Sequence, residues 1–385
     1  MKRYCIFVAN YLPNLGGVER YTLNLGRELI AAGNEVTVVT SNVFNLPAKE
    51  TIDGINIFRL PCWNVLNGRF PVLKYNGEFK SLNKELEHLE FDFVIVQTRF
   101  YVHSFYGTAF AKKKAIPCIT IEHGTNHFTV NNPVLDFFGE IYEHIITAAV
   151  KANCKDFYGV SQNCCKWIQH FDIQARGVLY NAVDLCDIQQ KLEHADEQKF
   201  KSNIDANAKI VTYTGRLIKE KGLLKLIDAV TKLRESGLDV LLMVAGDGEL
   251  MPEIEQKGLE YVKLLGKLDF QDVISLLKVS DVFCLPTDYP EGFPTSVLEA
   301  AACKAYVVTT TNGGSKELIL DESYGTVLSD NTVDNIEFAI RRALTDSDYR
   351  TNAAAKAYDR LCSEFTWKRT ADNVIKIAQS MENAK

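Results

Sequence analysis

Residues 209–233 read KIVTYTGRLIKEKGLLKLIDAVTKL. KIVTYTG (209–215) is a short apolar, β-branched run closed by a glycine, the pattern of a buried strand. The apolar residues then return at helical spacing, so a helix is expected over 222–236. The polar loop between them, GRLIKEKG, carries Arg216 and Lys221. This unit begins past the middle of a 385-residue chain, after one such series has already run its course. Strands are expected at 4–9, 35–40, 55–60, 92–97, 117–122, 157–161 and 177–181, with helices over 18–33 and 162–171 and further helical segments between several strands. From 209 the alternation restarts, with strands at 239–246, 261–266, 281–286 and 305–310. Strands alternating with helices imply parallel sheets covered on both faces. Two series in a chain of this length imply two doubly wound α/β domains. They join near LYNAVDLCDI, residues 179–188, and FTWKRTADNVIKIAQSM (365–381) adds a last amphipathic helix.

Composition removes several function classes. The chain is 46% hydrophobic and 24% charged with net charge −6, which argues against a nucleic-acid partner, since that wants a basic face. Ten cysteines form no C-x-x-C and no Cys/His cluster with zinc-ligand spacing, so they read as reduced, mostly core thiols of a cytoplasmic protein. The apolar run after Lys2 and Arg3 ends at Ala9, too short for a signal peptide, and no run reaches membrane-spanning length. The dinucleotide fingerprint, the P-loop and the nucleophile elbow are all missing.

In open α/β sheets, ligands bind beyond the carboxyl ends of strands. The segments there are polar or glycine-rich: NLGGVER, EHGTNHF, GRLIKEKG, GDGEL, GKL, PTDYPEGFPTS and NGGSKE. Gly16 and Gly17 precede a helix, where the backbone can approach a ligand and the N-terminus favours an anion. Arg216 and Lys221 can converge on one anion beside another helix start. Gly246 follows a strand, where a tight turn and a ligand contact are both open. In PTDYPEGFPTSVLEAAA (286–302) Pro294 favours a turn and Thr295 or Ser296 can cap the next helix. Glu299 is placed in that helix's first turn, where Ser296-x-x-Glu299 also fits a capping box. Glu291 stays in the loop. Two nearby carboxylates suggest glycosidase chemistry, but one in a loop and one in a helix do not flank a bond in the usual way. His123 follows an apolar strand; His127 is less placeable, and neighbouring histidines and cysteines suggest no metal site.

Taken together, Gly16–Arg20, Glu122–Gly124, Val160–Ser161, Asn181–Asp184, Gly215–Leu217 with Lys221–Gly222, Gly246–Gly248, Gly266 and Glu291-x7-Glu299 resemble glycosyltransferase family 4, the retaining sugar-nucleotide-dependent enzymes of GT-B fold. The resemblance spans nearly the whole chain. It implies two Rossmann-like domains facing each other across a cleft. Residues 1–182 would bind the acceptor, with a closing helix over 366–385 that starts near Trp367 and packs back. Residues 183–365 would bind the donor. By matching positions, Arg216 and Lys221 would hold the donor diphosphate, Glu299 the ribose, and Glu291 the donor sugar. His123 would stand beside the transferred sugar, and Gly16 and Gly17 against diphosphate and acceptor. Gly246, Gly266, Leu268, Phe293, Pro294, Thr295 and Ser296 would complete the donor-binding set. Ala182 stands where the family more often has glycine. The implied chemistry is front-face attack with a donor phosphate oxygen taking the acceptor proton, so neither a protein nucleophile, a metal nor a cofactor is expected. The expected partners are a UDP- or GDP-sugar and a saccharide or lipid-linked acceptor, in bacterial cell-surface polysaccharide synthesis. The segment PCWNVLNGRFPVLKYNG (61–77), read as a basic-aromatic loop, would suit peripheral contact with the inner, cytoplasmic membrane face. A sugar-nucleotide epimerase of similar fold and a silent nucleotide-sugar-binding protein are the alternative readings.

Overall fold

The computed structural model describes residues 1–383 apart from 15, 131, 203 and 206. It comprises two compact units, Met1–Asn181 with Trp367–Lys385, and Ala182–Thr366.

The first unit is built on an eight-stranded sheet. Its strands lie in the order Gly177–Val178, Asp156–Gly159, Cys118–Glu122, Phe93–Gln97, Arg3–Phe7, Glu35–Ser41, Ile55–Leu60, Lys49–Ile52. All neighbours run parallel except the edge strand Lys49–Ile52. The central strands are buried on both faces, as near-continuous apolar runs require (Cys5, Ile6, Phe7, Val94, Ile95, Val96). The chain starts in the middle, builds outward to one edge, then returns to build the other. The strand order therefore reverses between Arg3–Phe7 and Phe93–Gln97. The C-terminal helix Trp367–Asn383 belongs to this unit. Trp367 packs edge-on against Tyr21 of helix Gly17–Ala31 at 5.1 Å, and Thr370 Oγ1 donates to the Tyr180 carbonyl.

The second unit has six parallel strands in the order Val262–Gly266, Val240–Ala245, Lys209–Thr214, Val282–Leu285, Tyr306–Thr310, Thr326–Leu328. Here the order reverses between Lys209–Thr214 and Val282–Leu285. Helix Leu223–Glu235 buries Leu223, Leu226, Ile227, Val230 and Leu233 at the spacing its sequence shows. Its N-cap, Gly222, has φ of 75°, and a Cβ there would lie 2.0 Å from the Pro286 carbonyl oxygen. Only glycine lets these two loops meet. Gly246 does the same for the neighbouring strand end, where a Cβ would lie 1.8 Å from the Gly215 oxygen.

The two doubly wound sheets match the expected architecture, and all ten cysteines are free thiols, most of them buried. Three local expectations are corrected. Residues 61–77 are not a loop throughout: Cys62–Val65 and Phe70–Leu73 pair as an antiparallel hairpin. Neither Thr295 nor Ser296 caps the next helix, which runs Thr295–Ala302 with Pro294 in the N-cap position and no side-chain cap. Glu299 consequently lies in the second turn, not the first, and no capping box forms.

Candidate active site

In the second unit, the loops that carry the predicted residues leave the two strands at which the sheet order reverses, the place where open α/β sheets bind ligands. One loop follows Lys209–Thr214 and contains Arg216 and the 3-10 turn Lys219–Lys221. The other follows Val282–Leu285 and contains Tyr289 and Glu291. Backbone hydrogen bonds stitch them together. The Glu220 carbonyl accepts from the amides of Asp288 (2.6 Å) and Tyr289 (3.0 Å). Lys221 Nζ and the Glu291 carboxylate form an ion pair whose side chains are 11% and 14% exposed. An ammonium has three donors, so this pairing leaves two for another anion. The Tyr289 ring gathers both cations: Arg216 Cζ lies 5.1 Å and Lys221 Nζ 5.2 Å from its centroid. Arg216 itself is exposed, and it enters no ion pair among the described residues.

Glu291 is held from behind. A Cβ on Gly313 would lie 2.9 Å from Glu291 Cβ, and one on Gly314 2.1 Å from the Phe293 ring. The NGG turn after Tyr306–Thr310 thus presses against the Glu291–Pro294 backbone. Phe293 is buried against Phe365 at 5.3 Å, so its side chain serves the core and only its backbone can meet a ligand. Pro294 is buried, whereas Thr295, Ser296 and Glu299 are half-buried on the helix start. Gly246 and Gly266 sit at adjacent strand ends, joined by the Gly246 amide donating to the Gly266 carbonyl at 2.8 Å. Leu268 packs against the cluster around Ile210 and Met243.

In the first unit, His123 stands at the end of strand Cys118–Glu122. Its Nε2 lies 2.7 Å from Gln97 Oε1, and its ring meets Tyr21 edge-on at 4.9 Å. Donation to Gln97 puts the proton on Nε2 and leaves Nδ1 as acceptor. Desolvation among these neighbours lowers the His123 pKa to about 3, so the ring is neutral at physiological pH. Around it runs a buried charge network. Arg99 donates to Glu122 Oε2 (3.1 Å) and Glu143 Oε2 (2.8 Å), all three residues being at most 2% exposed. Glu122 Oε1 in turn accepts from the His123 and Gly124 amides, and Glu143 Oε1 from the Phe128 amide. Arg99 therefore fixes the loop that presents His123.

At the helix start after Gly16 and Gly17 the expected anion position is already filled from within. The carboxyl of Glu19, 8% exposed, folds back so closely that a Cβ on Gly16 would lie 2.5 Å from Glu19 Oε2. It accepts from Asn14 Nδ2 at 3.0 Å and from the Gly16 and Glu19 amides, while desolvation raises its pKa. Gly17 has open space around it.

Sequence reasoning missed Gln97, Arg99, Glu143 and the gathering role of Tyr289. Gln97 ends an apolar strand and Arg99 follows it, a signal available in QTRF, but their partners lie 23 to 44 residues away in sequence. It also dismissed a metal site near His127, whereas the fold brings His127, His144 and His170 together.

Two family models account for most of the chain: Glycosyltransferase Family 4 over residues 15–186 and Glycosyl transferases group 1 over 194–360. An uncharacterised glycosyltransferase of Methanocaldococcus jannaschii is 23% identical, covering 98% of both chains. The Escherichia coli UDP-Gal:α-D-GlcNAc-diphosphoundecaprenol α-1,3-galactosyltransferase is 25% identical over 87% of this chain and 86% of that one. Among solved structures, Anabaena HepE in complex with UDP superposes with a TM-score of 0.74 at 18% identity, covering 99% and 100% of the two chains.

Proposed function

We propose that this chain, which belongs to the family 4, group 1 glycosyltransferases, moves a sugar from a nucleoside diphosphate to a saccharide or lipid-linked acceptor with retention of configuration. The observation that carries this reading is the convergence of Arg216, Lys221 and Glu291 at the point where the strand order of the second unit reverses. Two cations over one aromatic ring suit a diphosphate, whose charge grows as the bond to the sugar breaks. Lys221 binds that diphosphate with its two remaining protons while its third pairs with Glu291. Glu291 then accepts hydrogen bonds from the sugar hydroxyls, and Glu299 from the ribose. The uncapped start of helix Thr295–Ala302 offers its first amides to the donor, and Gly246, Gly266 and Leu268 line the nucleoside. His123, in the first unit, offers a neutral imidazole to a sugar hydroxyl. Its low pKa argues against a proton donor and for hydrogen bonding. The departing phosphate oxygen takes the acceptor proton, so no protein nucleophile is invoked. UDP in the HepE structure and UDP-galactose in the E. coli relative favour a uridine donor; GDP remains the other choice to test.

Because Arg216 and Lys221 neutralise the leaving group, transfer should proceed without a divalent ion. Turnover measured with and without EDTA should agree within about twofold, and a loss restored by magnesium would overturn this step.

We further propose that the acceptor is met at a membrane surface. Among the described residues no helix is long and apolar enough to cross a bilayer. Helix Pro133–Asn153 nevertheless exposes Val134, Leu135, Phe137, Phe138, Ile141 and Ile145, each 44–66% accessible. The hairpin beside it exposes Trp63, Val65 and Leu66, is tied to the helix through Phe70 and Tyr142, and carries Arg69 and Lys74. Apolar residues with adjoining cations suit the interfacial zone of an anionic bilayer. The wild-type chain should float with vesicles containing phosphatidylglycerol, and the Phe137→Ser/Phe138→Ser variant should lose most of that binding. Equal flotation of the two would refute this surface.

A further inference from the structure

Three histidines far apart in sequence meet in the first unit. His127 lies on the loop after strand Cys118–Glu122, His144 within helix Pro133–Asn153, and His170 in the 3-10 turn Ile168–Phe171. One ring nitrogen of each lies within 4.8 Å of the others, the only such gathering of His, Cys, Asp or Glu side chains among the described residues. His144 and His170 are exposed and His127 is half-buried, so the cluster is not a core packing motif.

Two further observations point to a ligand. His127 Nδ1 faces Glu143 Oε2 at 3.2 Å. A proton donated there leaves Nε2 with its lone pair, and a carboxylate behind a ligating imidazole is the usual outer support of a bound metal. His170 is held by Trp167, stacked on it at 5.2 Å with 8° between the planes. We propose that His127, His144 and His170 bind one late first-row divalent cation, zinc being the best match to three imidazoles with a solvent molecule in the fourth position. Tetrahedral zinc with Zn–N of about 2.0–2.1 Å needs nitrogens about 3.3 Å apart, so binding would draw the three rings closer together. The ion would join a loop, a long helix and a turn, stiffening the segment 123–128 through Glu143. Its removal should therefore lower thermal stability, read as a fall in melting temperature. The inference does not depend on the glycosyl-transfer reading, because its readout is metal binding.

The test uses the untagged full chain with Cys186→Ser, which removes the exposed thiol, and zinc alone as the probe. Equilibrium dialysis should give one zinc per chain. His144→Gln and His170→Gln should each weaken binding at least about tenfold, and the double variant should abolish the site. His194→Gln, at an exposed histidine of the other unit, should change nothing. Cobalt should give the visible absorption of a tetrahedral centre in the parent chain and not in the double variant. Absence of zinc binding by the parent chain would overturn the proposal. So would a double variant, folded by circular dichroism, that binds zinc as the parent does.

Discussion

Replacing Glu291 by glutamine should lower glycosyl-transfer turnover by at least about a hundredfold, roughly 2.7 kcal/mol of barrier, while nucleotide affinity changes by less than about threefold. Glutamine keeps the size and one acceptor oxygen but removes the charge. The carboxylate is 14% exposed and paired to Lys221, so its charge acts in a poorly screened place. If Glu291 holds the sugar as positive character develops at the anomeric carbon, the loss falls on the transition state and appears in kcat. The nucleotide is held by Arg216, Lys221 and the helix start, which the substitution leaves in place. Steady-state kinetics with the identified donor, alongside nucleotide titration, separates the two effects. Wild-type turnover in Glu291→Gln would remove this residue from the reaction. A large loss confined to nucleotide affinity would make it only a support for Lys221.

Replacing Arg99 by methionine should destabilise the protein by about 3–5 kcal/mol, the cost of breaking a buried ion pair by removing one partner. Methionine fills much of the volume and retains contact with the Phe171 ring, which lies 3.9 Å from Arg99 Cζ. It leaves Glu122 and Glu143 buried with no cation between them, and these carboxylates hold the amides of His123, Gly124 and Phe128. Arg99→Lys keeps the charge but not the planar fork that reaches both carboxylates, so an intermediate loss is expected. Chemical denaturation monitored in both variants reads the effect directly. A loss below about 1 kcal/mol in Arg99→Met would show that the carboxylates find other compensation.

The fold was largely written in the hydrophobic pattern. Strands such as Val240–Ala245, buried on both faces, are recognisable because every residue is apolar, and helix Leu223–Glu235 because its buried side chains recur at helical spacing. The hairpin Cys62–Val65/Phe70–Leu73 escaped because half of it faces solvent and its pairing is set by a turn, not by a core. The start of helix Thr295–Ala302 misled for a related reason. Ser296 and Glu299 have the spacing of a cap, but Pro294 fixes the backbone one step earlier and the side chains turn elsewhere. In the site, loops after strands were the right places to look, since topology alone brings them together. Arg99, Glu143 and the three histidines were not legible, because each acquires its meaning from a partner that only the folded chain supplies. Glu19 shows the converse: an acidic residue in a first helical turn is a common sequence feature, yet here it occupies the place a ligand anion was expected to take.

On the proposed reading, the second unit binds a nucleoside diphosphate through Arg216 and Lys221. Calorimetric titration of UDP and GDP, alone and as nucleotide sugars, into the wild-type chain and an Arg216→Ala/Lys221→Ala variant measures this binding. Two charge-assisted contacts at about 1.5–3 kcal/mol each predict that one nucleotide binds the wild type one to one and the folded variant at least about a hundredfold more weakly. Equal affinity in the two chains, or no binding of either nucleotide to the wild type, would contradict it.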